Sequence, residues 1–339
     1  MEQEHTGRLL HISTAPHIRH GDSVAAIMIW VAAALVPALA AAVYFFGPRV
    51  LILTVVAVAA AVGTEYLVTR LSGKPATIGD FSAVVTGMLL AFNLPAGIPW
   101  WMAALGSAFA IGVAKLTFGG LGHNFINPAL AGRAFLMASY PAAMTTWVVP
   151  RLGFIDGLDG LSGATPLAHI KSAMSAGTFQ ALDFQEAIAD LFWGNVGGCI
   201  GETSAVALLI GAAILLYKRI MSLSIPAMYC ATVFLLFWLF NGTGTFFTTD
   251  ALIVPVYHIL AGGLLLGALF MATDMVTSPI TPKGRIIFGF GCGVLTFTIR
   301  KYGGYPEGVS YSILLMNCVV PLIDRYVRPA KYGEVKKRG

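Results

Sequence analysis

The stretch VAAIMIWVAAALVPALAAAVYFF, Val24 to Phe46, carries no charged residue. A helix needs about 20 apolar residues to cross roughly 30 Å of hydrocarbon, so this run predicts a membrane span. The rest of the chain repeats the signal. Of its 339 residues 57% are hydrophobic and 11% charged, against about 25% charged in a soluble domain. Such a chain has too little polar surface to cover itself in water.

Ten apolar runs of near-spanning length follow one another, at 24–46, 50–70, 80–95, 99–117, 126–141, 202–218, 222–241, 252–272, 284–299 and 308–325. Shorter or broken ones are tolerated where other helices surround them. With the N-terminus placed in the cytoplasm, fifteen Lys and Arg fall inside and five outside, Arg133 lying within a span. That bias puts both termini in the cytoplasm. The N-terminal MEQEHTGRLLHISTAPHIRHGDS has no apolar stretch ending at a cleavage site, so no signal peptide is expected.

A faint internal repeat is also present. An N-x-P, a small-residue span, Lys115 and FGG in the first half answer D-x-x-x-x-P, a Gly-rich span, Arg300-Lys301 and YGG in the second. Five spans per half force the halves to insert with opposite orientation. The expectation is an all-α integral membrane protein of about ten transmembrane helices in two inverted five-helix repeats. Residues 1–23 form a cytoplasmic segment, 24–141 the first repeat, 142–201 an outer loop, 202–325 the second repeat and 326–339 a cytoplasmic tail. Within the outer loop, FQALDFQEAIADLFWGN reads as a short interfacial helix. Phe184, Ile188, Leu191 and Phe192 can share its apolar face.

Several chemistries are disfavoured. The basic residues make no stripe interleaved with aromatics, so nucleic acid is not an expected partner. The four cysteines, Cys199, Cys230, Cys292 and Cys318, show no CxxC spacing and read as small buried hydrophobes. No metal site and no catalytic acid, base or nucleophile is assigned.

Charged residues inside apolar spans are costly and so face the bundle, a watery cavity or an interface. Glu202, in GGCIGETSAV, and Asp274, in FMATDMVTS, lie among small residues and are candidates for an ion path. The turn FGGLGHNFINPALAGRAF, Phe118 to Phe135, offers His123, Asn124 and Asn127, either as a structural turn or as a polar lining for a ligand ring or ion.

One polar stretch remains, LDGLSGATPLAH, Leu158 to His169. It has no nucleophile paired with an oriented base, and no phosphate-loop lysine. It displays a hydroxyl, Thr165, behind Gly163-Ala164 and ahead of Pro166. On these residues alone an ordinary exposed loop remains the simpler reading.

Asp159-Gly160-Leu161-Ser162-Gly163-Ala164-Thr165 resembles the flavinylation motif D-x-x-(S/T)-G-A-T. With APHIRHGDS (15–23), GDFSAVVTGMLLAFNLP (79–95), GGLGHNFINPALAGRAF (119–135), GGCIGETSA (197–205) and FMATDMVTSPITPKGR (270–285), the chain is similar to the D-subunit family of Rnf ion-translocating electron-transport complexes. More distantly it resembles the B-subunit family of the sodium-pumping NADH:quinone reductase. The resemblance implies FMN joined to Thr165 Oγ as a phosphodiester by a magnesium-dependent flavin transferase, with Asp159, Ser162, Gly163 and Ala164 completing the motif. It implies Thr165 on the outer side of a bacterial inner membrane and the A, B, C, E and G members of the Rnf complex as partners. Ferredoxin and NAD would be reached through those partners, and electron flow coupled to Na⁺ or H⁺ movement. It also implies a second, non-covalent flavin, riboflavin, for which His123 and Asn124 are the candidate contacts. A passive channel or secondary transporter would suit the same inverted repeats, because fold does not decide function.

Overall fold

The computed structural model describes residues 23–73, 77–150, 162–163, 165–176, 184–240, 249–304 and 307–328. The described chain is almost entirely helical. α1 (Val24–Phe46) and α2 (Arg49–Leu71) are followed by a 3₁₀ turn (Ile78–Asp80) and the short α3 (Ser82–Phe92). α4 (Trp100–Phe109) runs on into a π-helical segment, Ala110–Leu116, and α5 spans Pro128–Ser139. α6 (Pro141–Met144) and β1 (Trp147–Val148) lead to β2 (Ser162–Gly163), which pairs with β1 antiparallel. α7 (Pro166–Ala176) and α8 (Phe184–Trp193) precede α9 (Ala205–Tyr217) and α10 (Ser224–Leu239). α11 (Thr249–Leu260), α12 (Leu264–Leu266) with a second π segment (Gly267–Met271), α13 (Pro282–Tyr302) and α14 (Val309–Tyr326) complete the bundle.

Each expected span has a helical counterpart, but the lengths differ. Among the described residues, α1 and α2 are long and apolar enough to cross a membrane by length and composition. The pair Leu252–Leu260 and Leu264–Met271 passes the same test as one span bent by 66°. The run at 80–95 forms a helix only over Ser82–Phe92. Its end, Phe92 to Pro95, pairs with residues Cys199–Gly201, with Gly201 N donating to Phe92 O (2.8 Å) and Ile200 N to Leu94 O (2.9 Å). Backbone groups released by a short helix are thus satisfied by another loop inside the bundle.

Local sequence explains where helices begin. Ser23, Asn127, Ser204 and Thr281 each cap a helix by accepting from backbone N–H groups one turn on. Pro128 and Pro282 occupy first helical positions, where a missing N–H costs nothing. Small residues let helices approach. A β-carbon on Gly211 would stand 2.1 Å from Ala34 O, so α1 and α9 meet backbone to backbone there.

Two details depart from the sequence reading. Gly119 and Gly120 take φ of +118° and +94°, while Gly303 has φ −76°. The paired GG turns are therefore not equivalent in backbone. In α8, Ala187, Ile188 and Leu191 pack on the cluster around Val254, Tyr257 and Ala261, but Phe192 turns outward at 39% exposure. The helix buries a narrower face than its spacing allows, because α11 covers only that side.

Candidate functional site

Three polar sites lie within or against the bundle, and the halves of the chain meet in each. The first is a pocket with an empty volume, open mouth included, of about 880 Å³. α1 supplies Ile27 and Val31, α3 Ser82 and Leu89, and the second half Phe270 and Asp274. Lys115, Asn124 and Asn127 add polar groups from the first half. Lys115 comes from one π-helical segment and Phe270 from the other. Such segments often mark functional sites. The Asp274 carboxyl accepts from Val276 N (3.3 Å) and Thr277 Oγ1 (3.1 Å). Burial pushes its pKa up, against the pull of those two hydrogen bonds.

The second site is a buried charge cluster. Arg133, on α5, donates through NH1 to Asn93 Oδ1 (2.7 Å) and Glu202 Oε1 (3.3 Å), and through NH2 to Glu307. Cys199 Sγ donates to Asn93 O (3.3 Å). The Cys199, Glu202 and Glu307 ligand atoms lie within 4.8 Å of one another, a spacing that suits a cation. The Arg133 guanidinium already bonds both carboxylates and supplies that positive charge. Glu307 is pushed up to about 7, first by burial and then by the charge of Glu202, with Arg133 and Arg300 opposing.

The third site surrounds Thr165, which is buried at 3% exposure. Its Oγ1 accepts from Ala168 N (3.2 Å), so it caps α7 rather than standing displayed. α7 rests on the break in the bent span: Tyr257 Oη donates to Pro166 O (3.0 Å). A β-carbon on Gly262 would come 2.0 Å from Leu167 Cδ1. Arg300 holds the same break, donating to the carbonyls of His258, Ala261 and Gly262. These carbonyls end α11, where a cation is favourable.

The residues expected from sequence separate into these sites. Ser162 and Gly163 lie in β2, opposite Val148 and Trp147. Asp159 and Ala164 fall outside the described residues. Asn124 is buried and lines the pocket, whereas His123 is exposed and packs against Gly119. The second pocket amide is Asn127, which also donates to Met271 O (3.3 Å). Glu202 and Asp274 do not come together: one joins the charge cluster, the other the pocket. Sequence reading missed Glu307 and Asn93 as members of the cluster. An acid just ahead of a span and an amide at the end of another were the available signals.

Bent and shortened helices with their charges gathered inside the bundle define a helical membrane protein. Residues 11–333 match the model of the NQR2, RnfD, RnfE family, and the chain belongs to that family. It is 49% identical over 329 residues to the D subunit of the Na(+)-translocating ferredoxin:NAD(+) oxidoreductase complex of Acetobacterium woodii, covering 96% of each chain. It is 48% identical over 323 residues to the D subunit of the proton-translocating ferredoxin:NAD(+) oxidoreductase complex of Clostridium ljungdahlii, covering 95% of this chain and 96% of the relative. The D subunit of the ion-translocating oxidoreductase complex of Shigella dysenteriae is 37% identical over 357 residues, with 97% and 99% covered.

Proposed function

We propose that this chain is the D subunit of an ion-translocating ferredoxin:NAD oxidoreductase complex, an electron carrier in the bacterial inner membrane. In this reading FMN is esterified to Thr165 and electron flow is coupled to Na⁺ or H⁺ movement. The observation that carries it is the position of Thr165. The last residue of the S-G-A-T motif heads α7 and presents its oxygen to that helix's free N–H groups. An ester oxygen keeps the lone pairs that accept from Ala168 N, and a phosphate there meets a favourable helix terminus. The residues therefore fit the group. A flavin supplies one- and two-electron chemistry when bound; the chain supplies the attachment point and its rigid seat against Tyr257 and Leu167.

The pocket supports a second, non-covalent flavin. Its walls are mainly apolar, with Asn124 and Asn127 among the polar residues that line it. Two short helical stretches, α3 and α12 with its π segment, end near one another, Asn93 Nδ2 donating to Met271 Sδ (3.5 Å). The recurrent apolar runs and the bias of Lys and Arg to one side support ten spans in two inverted halves, with both termini cytoplasmic and Thr165 outside. The A, B, C, E and G members of the Rnf complex are the implied partners, and a flavin transferase the maturation enzyme. The Acetobacterium and Clostridium relatives are named for different ions at 49% and 48% identity, so overall similarity does not select the ion.

The test is intact mass of the chain made in cells with the transferase, followed by mapping of the peptide holding Thr165. An added FMN less water on Thr165 is expected. An unmodified Thr165 overturns the covalent reading and favours a channel or transporter.

A further inference from the structure

We propose that Asp80, Ser82 and Lys115 form a proton path between the protein surface and the pocket. The inference rests on the reading that a flavin occupies that pocket. Lys115 Nζ donates to Ser82 Oγ (2.6 Å), and Ser82 Oγ donates to Asp80 Oδ1 (2.5 Å). An ammonium can only donate, so Ser82 must accept from it and turn its own proton toward Asp80. Lys115 is 2% exposed and lines the pocket beside Ser82, while Asp80 is partly exposed. The three groups thus connect a cavity wall to the outside with no gap.

The groups around Lys115 suit a site that gives up and regains a proton. Glu65, fully buried on α2, accepts from Nζ at 3.0 and 2.9 Å. Thr77 Oγ1 donates to Glu65 Oε1 (2.5 Å). Asp274 is the charged group on another wall of the pocket. Asp80 Oδ1 also accepts from Ser82 N (2.8 Å), which holds the carboxylate beside the hydroxyl at the head of α3. If Lys115 loses its proton, Glu65 is left as a buried, unpaired anion, which drives prompt reprotonation.

The step balances as follows. The protonated Lys115 passes a proton to Ser82 as the Ser82 proton moves to Asp80, and Asp80 releases one to water. The Lys115 amine, now neutral beside the Glu65 carboxylate, would then take the proton given up by a bound ring whose two electrons go to the partner that accepts them. Reduction reverses each transfer, one proton entering from water. The hydrogen bonds as they stand point outward, so release needs no prior rotation of the Ser82 hydroxyl.

The experiment uses the full chain carrying Thr165→Val, which removes the covalent flavin. Acid extraction is first checked for remaining flavin; none present would overturn the pocket reading itself. With flavin present, the photoreduced chain is mixed with ferricyanide, which takes electrons without protons, beside a pH-indicator dye. In the parent chain, proton release should keep pace with flavin reoxidation. Ser82→Ala should slow release by roughly 100-fold, leave the final proton yield unchanged, and Ser82→Thr should restore the rate. Asp80→Asn should also slow it. Release at the parent rate in Ser82→Ala overturns the path, as does equal slowing in Ser82→Ala and Ser82→Thr.

Discussion

Glu202 is seated directly against Gly263: a β-carbon on that glycine would stand 2.4 Å from Glu202 Oε1. Gly263 has φ +65°, and it follows Gly262 at +67° in the break of the bent span. The same break touches Leu167, two residues beyond Thr165. The Thr165 site and the Arg133 cluster therefore share one joint in the backbone.

Gly263→Ala should disturb the cluster through that joint. The left-handed backbone costs an L-residue about 1–2 kcal/mol, and the Glu202 carboxylate must swing away from the new methyl group. Thermal unfolding in detergent should show the loss. Gly263→Ala should cost less in a Glu202→Ala chain, which lacks the carboxylate that collides, than in the parent. An equal cost in both backgrounds would show that the contact carries no strain.

Arg133 supplies the positive charge bonded to both Glu202 and Glu307. Arg133→Met should destabilise the chain by about 3–5 kcal/mol, because it leaves buried carboxylates without their partner. Arg133→Lys should be intermediate, since an ammonium does not reproduce the planar fork that reaches both acids and Asn93. Adding Glu202→Gln and Glu307→Gln to Arg133→Met should recover part of the loss. Chemical or thermal denaturation of the four chains checks the order.

Glu307 gives the cluster a pH dependence. Its folded pKa is raised from 4.5 to about 7, so folding favours the protonated carboxyl. The resulting stabilisation is fully present below about 4.5 and is lost as pH rises through about 7. Unfolding temperature should fall across that window, and Glu307→Gln, which mimics the protonated form, should flatten the fall. A profile identical in both chains would assign the titration to another group.

How far the sequence carried this architecture depends on the distance between the residues involved. Val24–Phe46 announces itself because every determinant of a span is local. The S-G-A-T motif is also contiguous, so Thr165 could be singled out. The Arg133 cluster could not, because Arg133 gathers Asn93, the Cys199–Glu202 stretch and Glu307 from separate parts of the chain. Glu307 stands just ahead of an apolar run and gains its meaning only when Arg133 joins it to Glu202 and Asn93. The 66° bend is a subtler case. Two glycines in an apolar run are common in membrane helices, and only their left-handed backbone and the carbonyl contacts from Arg300 show that the helix stops there. The burial of Thr165 was not legible, since its capping of α7 depends on where that helix starts.

Thr165 caps α7, its Oγ1 accepting from Ala168 N, and in the proposed reading the same oxygen carries FMN. Substitutions made with and without the transferase separate the two roles. Thr165→Ser keeps an oxygen for both, so flavin fluorescence on a denaturing gel should persist and stability should stay close to the parent. Thr165→Val keeps the shape and loses both roles. The fluorescent band should vanish, and the lost cap should cost about 1 kcal/mol. Denaturation of unmodified chains, made without the transferase, isolates the capping cost. A Thr165→Val chain as stable as the unmodified parent would mean that the hydroxyl serves attachment alone. A fluorescent Thr165→Val chain would move the flavin to a different residue.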